Sequence, residues 1–307
     1  YGDTPLHAAA EGGFINIVKL LLERADIDPK IENKLNGNTP LHSAARCGNL
    51  DIVELLLERA DIDPNGENKD GSTPFDIAAE EERFKIVKLL LERTTIDLKK
   101  VYKDGNTVLH KATRSGELEL VQLLLKTSNI DPNQKNKDGD TLLHSAVRGG
   151  HLNILQWLLE RTEINPNSVN KVGDTLLHSA VRGGHLNILQ WLLERTEINP
   201  NSVNKDGNTV LHEAVRSGEF EIVKLLLKTS NIDPNRENKN GDTLLHSAVR
   251  GGHLNIIQWL LKRTEINQNS VNKVGDTLLH SAVRGGHLNI LQWLLERTEI
   301  NPNSVNK

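Results

Sequence analysis

Hydrophobic residues recur along the chain as pairs of short runs, and a polar stretch rich in Asn, Asp and Lys follows each pair. In residues 139–172, apolar positions in both runs follow the i, i+3, i+4 spacing of a helix face. Gly149 and Gly150 separate the runs, and glycine commonly ends a helix. The polar stretch ends in Asn-Lys-Val-Gly, which is a turn signature. The pattern predicts two short helices joined by a tight turn and followed by a hairpin-like loop.

This unit occurs nine times at almost constant spacing. Each copy opens with Gly, a small polar residue and Thr, followed by an apolar pair and, in eight copies, by His. The first interval between the opening glycines is 35 residues and the other seven are 34. Such periods are typical of stacked arrays, in which each unit buries its apolar face against its neighbours. We predict a single array over residues 1–307, with repeats that begin near Gly2, Gly37, Gly71, Gly105, Gly139, Gly173, Gly207, Gly241 and Gly275.

The TPLH-type phrase, the Ala-rich first helix, the Gly150-His151 turn and the ILQWLLE run resemble an ankyrin repeat over the whole chain. The resemblance implies an all-α ankyrin-repeat solenoid of stacked helix-turn-helix units with hairpin-like loops. The third repeat departs from the pattern, because Asp76 replaces the His and Glu80–Glu82 replace the glycine between the helices. We therefore expect a local irregularity there.

A longer period is superimposed on the repeat. Segment 105–205 aligns with 207–307, and residues 173–205 are identical to 275–307. Tandem duplication of a three-repeat block explains this identity; deliberate design, the alternative, would favour uniform copies and engineered caps. Repeat nine has the apolar set of an interior repeat and Tyr1 is not a translation start, so we expect a piece of a longer protein.

Composition excludes several classes of function. The net charge is −4 and aromatic residues are few, which disfavours nucleic acid as a partner. No run approaches the ~18 apolar residues of a membrane span, so membrane insertion is not expected. The single cysteine, Cys47, rules out an internal disulfide and fits a reducing compartment, so we expect a cytoplasmic location.

Histidine and tryptophan are the residues that invite a chemical interpretation. Eight histidines close the opening phrase and four follow the Gly-Gly between helices, each class about one repeat apart. That spacing is roughly 10 Å for packed helices, whereas a zinc–nitrogen bond is ~2.0–2.1 Å. We predict turn hydrogen bonds, no metal and no cofactor. No base is marked for Cys47, so no enzyme is predicted. Four tryptophans in the second helices are expected to pack between repeats; partner recognition is the alternative.

Two rows of basic residues are the sharpest functional signal. One lies near the end of the first helix and the other in the hairpin turn, where Val twice replaces Asp. The resemblance places both rows on the concave side, where partners usually bind. The predicted partner-binding residues are Arg114, Arg148, Arg182, Arg216, Arg250, Arg284, Lys137, Lys171, Lys205, Lys239, Val172 and Val274. The alternative is a solvated face that is neutralised by Asp140, Asp174, Asp242 and Asp276.

The first function hypothesis is a scaffold that binds another protein, such as an acidic or amphipathic segment, on its concave face. The second is a targeting or regulatory arm of a larger effector protein of an intracellular bacterium, acting in the host cytoplasm, whose activity lies in another domain. The third is an elastic spacer. We expect a monomer, or assembly through a longer parent chain.

Overall fold

The computed structural model describes residues 2–94, 96–127, 130–161, 164–195, 197–229, 232–263, 266, 269–297 and 306, without the side chain of Thr127. In this part of the chain there are eighteen α-helices and no strand, apart from an isolated bridge between Val203 and Thr209. The helices are α1 (Pro5–Gly12), α2 (Ile15–Leu22), α3 (Pro40–Cys47), α4 (Leu50–Leu57), α5 (Pro74–Glu80), α6 (Phe84–Arg93), α7 (Val108–Arg114), α8 (Leu118–Thr127), α9 (Leu142–Gly149), α10 (Leu152–Leu159), α11 (Leu176–Arg182), α12 (Leu186–Leu193), α13 (Val210–Ser217), α14 (Phe220–Lys228), α15 (Leu244–Gly251), α16 (Leu254–Leu260), α17 (Leu278–Gly285) and α18 (Leu288–Leu295). The predicted all-α fold of paired helices is confirmed.

The opening phrase forms the start of each first helix. Thr209 has extended backbone, its hydroxyl accepts from the His212 amide at 3.3 Å, and it lies 2.8 Å from Nδ1 of the His212 ring. This reciprocal cap satisfies amides that the first turn of a helix leaves unpaired. At the other end Gly218 adopts φ 81°, a left-handed conformation that glycine adopts without steric cost. Thr, His and Gly therefore recur because each begins or ends a helix.

The chain divides into two compact units, Tyr1–Thr113 with Glu117–Ile130, and Arg114–Gly116 with Asp131–Lys307. In unit one, α1 packs on α3 and α3 on α5, with α2, α4 and α6 beside them. In unit two, α9, α11, α13, α15 and α17 pack in succession. Alanines such as Ala146 and Ala180 are fully buried in these first helices, which lets neighbouring helices approach closely. That residues 1–307 form one array stays a prediction.

A buried asparagine connects the hairpin loops of unit two, a contact that the sequence analysis did not anticipate. Asn170 donates from its amide nitrogen to the Asp140 carboxylate of the preceding repeat at 2.9 Å. Its amide oxygen accepts from the backbone amides of Val172 and Asp174 at 3.1 and 3.0 Å and so closes its own turn. The Lys171 amide also donates to the Asp138 carbonyl at 2.9 Å. Each loop is thereby held to the one before it.

The third repeat is irregular, as expected. Glu82 replaces the glycine between α5 and α6 and has φ 56°; it is the one non-glycine residue with positive φ in the described ranges. Asp76 replaces the histidine of the cap and accepts from the amide and hydroxyl of Thr73, both at 2.9 Å. Burial, followed by the negative charges of Asp76 and Glu80, raises the pKa of Tyr102 far above its ordinary value. Tyr102 stands where other repeats have the hairpin asparagine.

Among the described residues, no helix has the length and apolar character that crossing a membrane requires.

Candidate partner-binding surface

Most of the predicted arginines are engaged in ion pairs inside their own repeat. In four repeats the guanidinium at the end of the first helix contacts the aspartate that follows the opening glycine. The nitrogen–oxygen distances are 2.7 Å for Arg148–Asp140, 2.5 Å for Arg182–Asp174, 2.8 Å for Arg250–Asp242 and 2.9 Å for Arg284–Asp276. The carboxylates are at most 3% exposed, whereas the arginine side chains are 28% to 57% exposed. These contacts favour the alternative of a neutralised face over a free row of guanidinium groups.

The same contacts lower the pKa values of Asp242 and Asp276. Burial alone would raise the pKa of Asp242, but hydrogen bonds from Asn272 and Arg250 outweigh it and leave the pKa below its ordinary value. Burial of Asp276 is likewise outweighed by hydrogen bonds from Asn306 and Arg284, which lower its pKa. The carboxylates of Asp242 and Asp276 are therefore ionised near neutral pH, and they balance Arg250 and Arg284.

Arg216 is also paired, but through a residue that the sequence analysis overlooked. Repeat seven has Asn208 where the aspartate would stand, and Glu213 replaces the serine that four other repeats of unit two carry. Glu213 is 1% exposed and lies 2.7 Å from Arg216 and 3.5 Å from Arg182. Its burial would raise its pKa, yet the charges of Arg216 and Arg182 hold the pKa below the ordinary value. The sequence signal for this contact was a pair of changes in repeat seven, where Asn208 replaces Asp and Glu213 replaces Ser.

Arg114 differs from the other five arginines. Arg114 is exposed, and its guanidinium group forms no ion pair with a described residue. Repeat four has Asn106 at the place of the aspartate, which explains the missing partner. Arg114 is thus the one predicted arginine whose charge is not balanced by a neighbouring carboxylate in the part of the chain that the structure describes.

The hairpin lysines keep their charge free. Lys137, Lys171, Lys205 and Lys239 are exposed, and none of them forms an ion pair with a described residue. The backbone amides of Lys205 and Lys239 donate to Val172 and Asp206 of the preceding loops at 2.9 and 3.0 Å, which fixes the spacing of the lysines. The backbone of these lysines is fixed and their ammonium groups are unpaired. They are therefore better placed than the arginines to contact a carboxylate of another molecule.

The two predicted valines lie on the same kind of loop, where Val172 follows Lys171 and Val274 follows Lys273. Val172 is 51% exposed and Val274 is 52% exposed. Three further exposed valines on the same loops were not predicted, and they are Val169, Val203 and Val271. The repeated Ser-Val-Asn-Lys sequence before each of these turns was the signal for them. Apolar and basic groups therefore alternate along the hairpin tips of unit two.

The histidines act as hydrogen-bonding groups at the turns, as predicted. In the opening phrase Nδ1 meets the capping Thr and Nε2 meets a backbone carbonyl of the next repeat; for His178 that carbonyl is Asn208, at 3.0 Å. The other class bonds backward, as His185 does to the Arg148 carbonyl at 3.1 Å. Burial lowers the pKa of His144, His178, His212 and His246. No group of three or more metal-binding side chains occurs among the described residues.

The tryptophans are half-buried in the second helices, as expected for packing. Trp259 lies edge-to-face with Phe220 of the preceding repeat, with ring centroids 5.7 Å apart. Each tryptophan is covered on one face by the arginine four residues later; the distance is 4.7 Å for Arg195 over Trp191. Such cation–π contacts stabilise the last turn of the helix.

These features define an all-α repeat protein whose hairpin loops are held by stacked helix pairs. The family model for ankyrin repeats in three copies matches residues 1–68, 25–101, 94–170, 162–238 and 230–306. The chain therefore belongs to the ankyrin repeat family. Ankyrin repeats are generally protein–protein interaction modules and are typically non-enzymatic. A comparison with curated proteins found no match.

Proposed function

We propose that this chain binds a partner protein through the hairpin-tip surface, defined as Lys137, Lys171, Lys205 and Lys239 with Val172 and Val274, on the concave side of the array. It acts by binding, without catalysis of its own. The observation that carries the proposal is the contrast in charge balance. The hairpin lysines are exposed and unpaired in the described chain, whereas five of the six arginines contact buried carboxylates.

The surface selects a partner that combines acidic and apolar groups. Unpaired ammonium groups one repeat apart attract carboxylates, and such complementarity raises the association rate and orients the partner. The exposed valines offer apolar area next to these charges. An acidic, amphipathic segment of the partner satisfies both requirements. The paired arginines contribute less, because a partner carboxylate would first have to displace the buried aspartate that each arginine contacts.

The test is a charge reversal on the hairpin tips with a matched control elsewhere. The variant Lys205→Glu/Lys239→Glu changes the charge by the same amount as Lys228→Glu/Lys262→Glu, which alters exposed lysines at the ends of second helices. Both are compared with the unchanged chain in affinity capture from cell lysate, with circular dichroism to verify helicity.

We expect the hairpin variant to lose capture of the partner and the control to retain it. Equal capture by both variants would show that the hairpin tips do not bind. Because Arg148 and Arg182 pair with buried aspartates, charge reversal there tests folding as much as binding and is the weaker experiment.

The second hypothesis, a targeting or regulatory arm of a larger effector protein, is supported by the near-identical tandem copies. The hypothesis of a cytoplasmic location is supported by the single cysteine, Cys47.

A further inference from the structure

Two hairpin loops of unit two expose the same pair of valines. Residues 168–174 and 270–276 share the sequence Ser-Val-Asn-Lys-Val-Gly-Asp and lie three repeats apart. We call them the first and the second valine loop. The exposed fractions of their valines are 42% for Val169, 51% for Val172, 51% for Val271 and 52% for Val274. Each loop therefore offers a similar apolar area to a ligand.

The same hydrogen bonds hold both loops. The amide of the second valine donates to the asparagine side chain of its own loop at 3.1 Å, for Val172 as for Val274. That asparagine donates to the aspartate 30 residues earlier at 2.9 Å, for Asn170 as for Asn272. The lysine amide of each loop donates to a backbone carbonyl of the preceding hairpin, also at 2.9 Å. Because these contacts are equivalent, a ligand that fits one loop also fits the other.

The two hairpins between the valine loops lack this pair of valines. Asp206 and Asn240 stand at the place of the second valine. Glu237 replaces the first valine in one of these hairpins, and the other retains Val203. Helices in contact pack roughly 10 Å apart, so three repeats separate the valine loops by about 30 Å. The complete pair of valines thus occurs at two separate places on unit two.

A lysine lies between the two valines of each loop. Lys171 and Lys273 are exposed, and neither forms an ion pair with a described residue. The Lys273 ammonium group donates to the Lys239 carbonyl at 2.7 Å, which uses one of its three N–H donors. A carboxylate that is attracted to the ammonium group brings its neighbouring residues onto the valines. Each valine loop therefore fits a short segment in which acidic and apolar residues are adjacent.

We infer that the chain binds two copies of the same acidic and apolar segment, one on each valine loop, and that its partner protein carries this segment twice. The inference rests on the proposed function of the hairpin-tip surface and adds the number of sites. Once one segment is bound, the second binds intramolecularly, so a partner with two segments binds about 10²–10⁴-fold more tightly than a partner with one.

The test uses two fluorescent synthetic peptides as probes. The single peptide contains one Glu-Leu-Glu-Leu-Glu segment. The tandem peptide contains two such segments, joined by a Gly/Ser linker of about thirty residues, whose root-mean-square length of about 30 Å spans the two loops. Fluorescence anisotropy measures the dissociation constant of each peptide for the 307-residue chain and its variants.

The variants place a charge on one valine loop at a time. Val172→Glu alters the first loop and Val274→Glu alters the second. Val101→Glu is the matched control, because Val101 is 52% exposed on a hairpin loop of unit one and lies outside both valine loops. Circular dichroism verifies that all three variants fold.

We expect the tandem peptide to bind the unchanged chain and the Val101→Glu variant about 100-fold more tightly than the single peptide does. Val172→Glu and Val274→Glu should each abolish this difference, because one intact loop remains. Equal affinities of the two peptides for the unchanged chain would refute two sites and leave the hairpin-tip surface untouched. So would a tandem peptide that keeps its advantage in both loop variants. Binding of neither peptide would also refute the inference, and the capture experiment with Lys205→Glu/Lys239→Glu then decides the proposed function separately.

Discussion

Repeat three of the chain, in unit one, and repeat six, in unit two, solve the same structural problem with opposite chemistry. Both must hold the first turn of a helix and connect it to the following loop. In repeat six the neutral imidazole of His178 contacts the Thr175 hydroxyl at 2.9 Å and the Asn208 carbonyl at 3.0 Å. In repeat three Asp76 caps the helix, and Lys100 from the following loop lies 2.8 Å from its carboxylate.

The difference follows from what each side chain can donate. A neutral imidazole accepts at one nitrogen and donates at the other, so one residue makes both contacts. A carboxylate only accepts; it caps the helix but cannot donate to a carbonyl. Lys100 therefore supplies the donor and also contacts the Gly71 carbonyl at 2.7 Å. The histidine caps are therefore stable only while the imidazole is neutral. The cap of the third repeat instead depends on the ion pair between Asp76 and Lys100.

Lowering the pH is the strongest way to separate the two regions. Burial holds the pKa of His144, His178, His212 and His246 below the ordinary value. The unfolded chain therefore takes up protons first as the pH falls below about 6.5. The stability that these histidines contribute is present above that pH and is lost below it, by up to about 1.4 kcal/mol per pH unit for each histidine. Burial also lowers the pKa of His42 in unit one, so both units lose stability in mild acid, and we expect unit two, with four such histidines, to lose more.

Tryptophan fluorescence measures this directly, because all four tryptophans lie in unit two. Urea unfolding should shift to lower denaturant concentration between pH 7 and pH 5, and it should be insensitive to pH between 7 and 8. The variant His178→Gln, which cannot be protonated, should reduce the slope. A midpoint that is independent of pH below 6.5 would show that the imidazoles are not held neutral.

Removal of the Asp76 carboxylate tests the other side of the comparison. The variant Asp76→Ala leaves Thr73 without its cap and Lys100 without its partner, so unit one should lose about 3 kcal/mol. Asp97→Ala removes an exposed carboxylate of the same loop, which accepts from the Lys99 amide at 3.0 Å, and should cost no more than about 1 kcal/mol. Hydrogen exchange of α5 and α6 reports the loss locally. If Asp76→Ala/Lys100→Met has the same free energy of unfolding as Asp76→Ala, an unpaired Lys100 ammonium group does not contribute to the destabilisation.

The fold followed from the sequence because each repeated residue has a local task. Thr and His cap a helix, glycine ends it, and the spacing of Leu and Ile defines the buried face; all of these act within a few residues. The charge balance of the surface followed only as an alternative, because it depends on contacts across a repeat or between repeats. Asp174 was named among the aspartates that could neutralise the basic rows, whereas Glu213 was noticeable only as a departure from the repeat.

The smallest expected effect concerns the turn of the third repeat. Glu82 has φ 56°, where repeats one, two and four have Gly13, Gly48 and Gly116. A left-handed conformation costs a residue with a Cβ about 1–2 kcal/mol, and part of this is offset by the greater freedom of glycine in the unfolded chain. Glu82→Gly should therefore stabilise unit one by about 1 kcal/mol, even though it removes the 3.9 Å contact with Lys111.

Glu81→Gly, at φ −88°, is the matched control and should destabilise, since no strain is relieved there. Urea unfolding followed by hydrogen exchange of α5 and α6 distinguishes the two variants, and equal destabilisation by both would show that the turn at Glu82 is not strained.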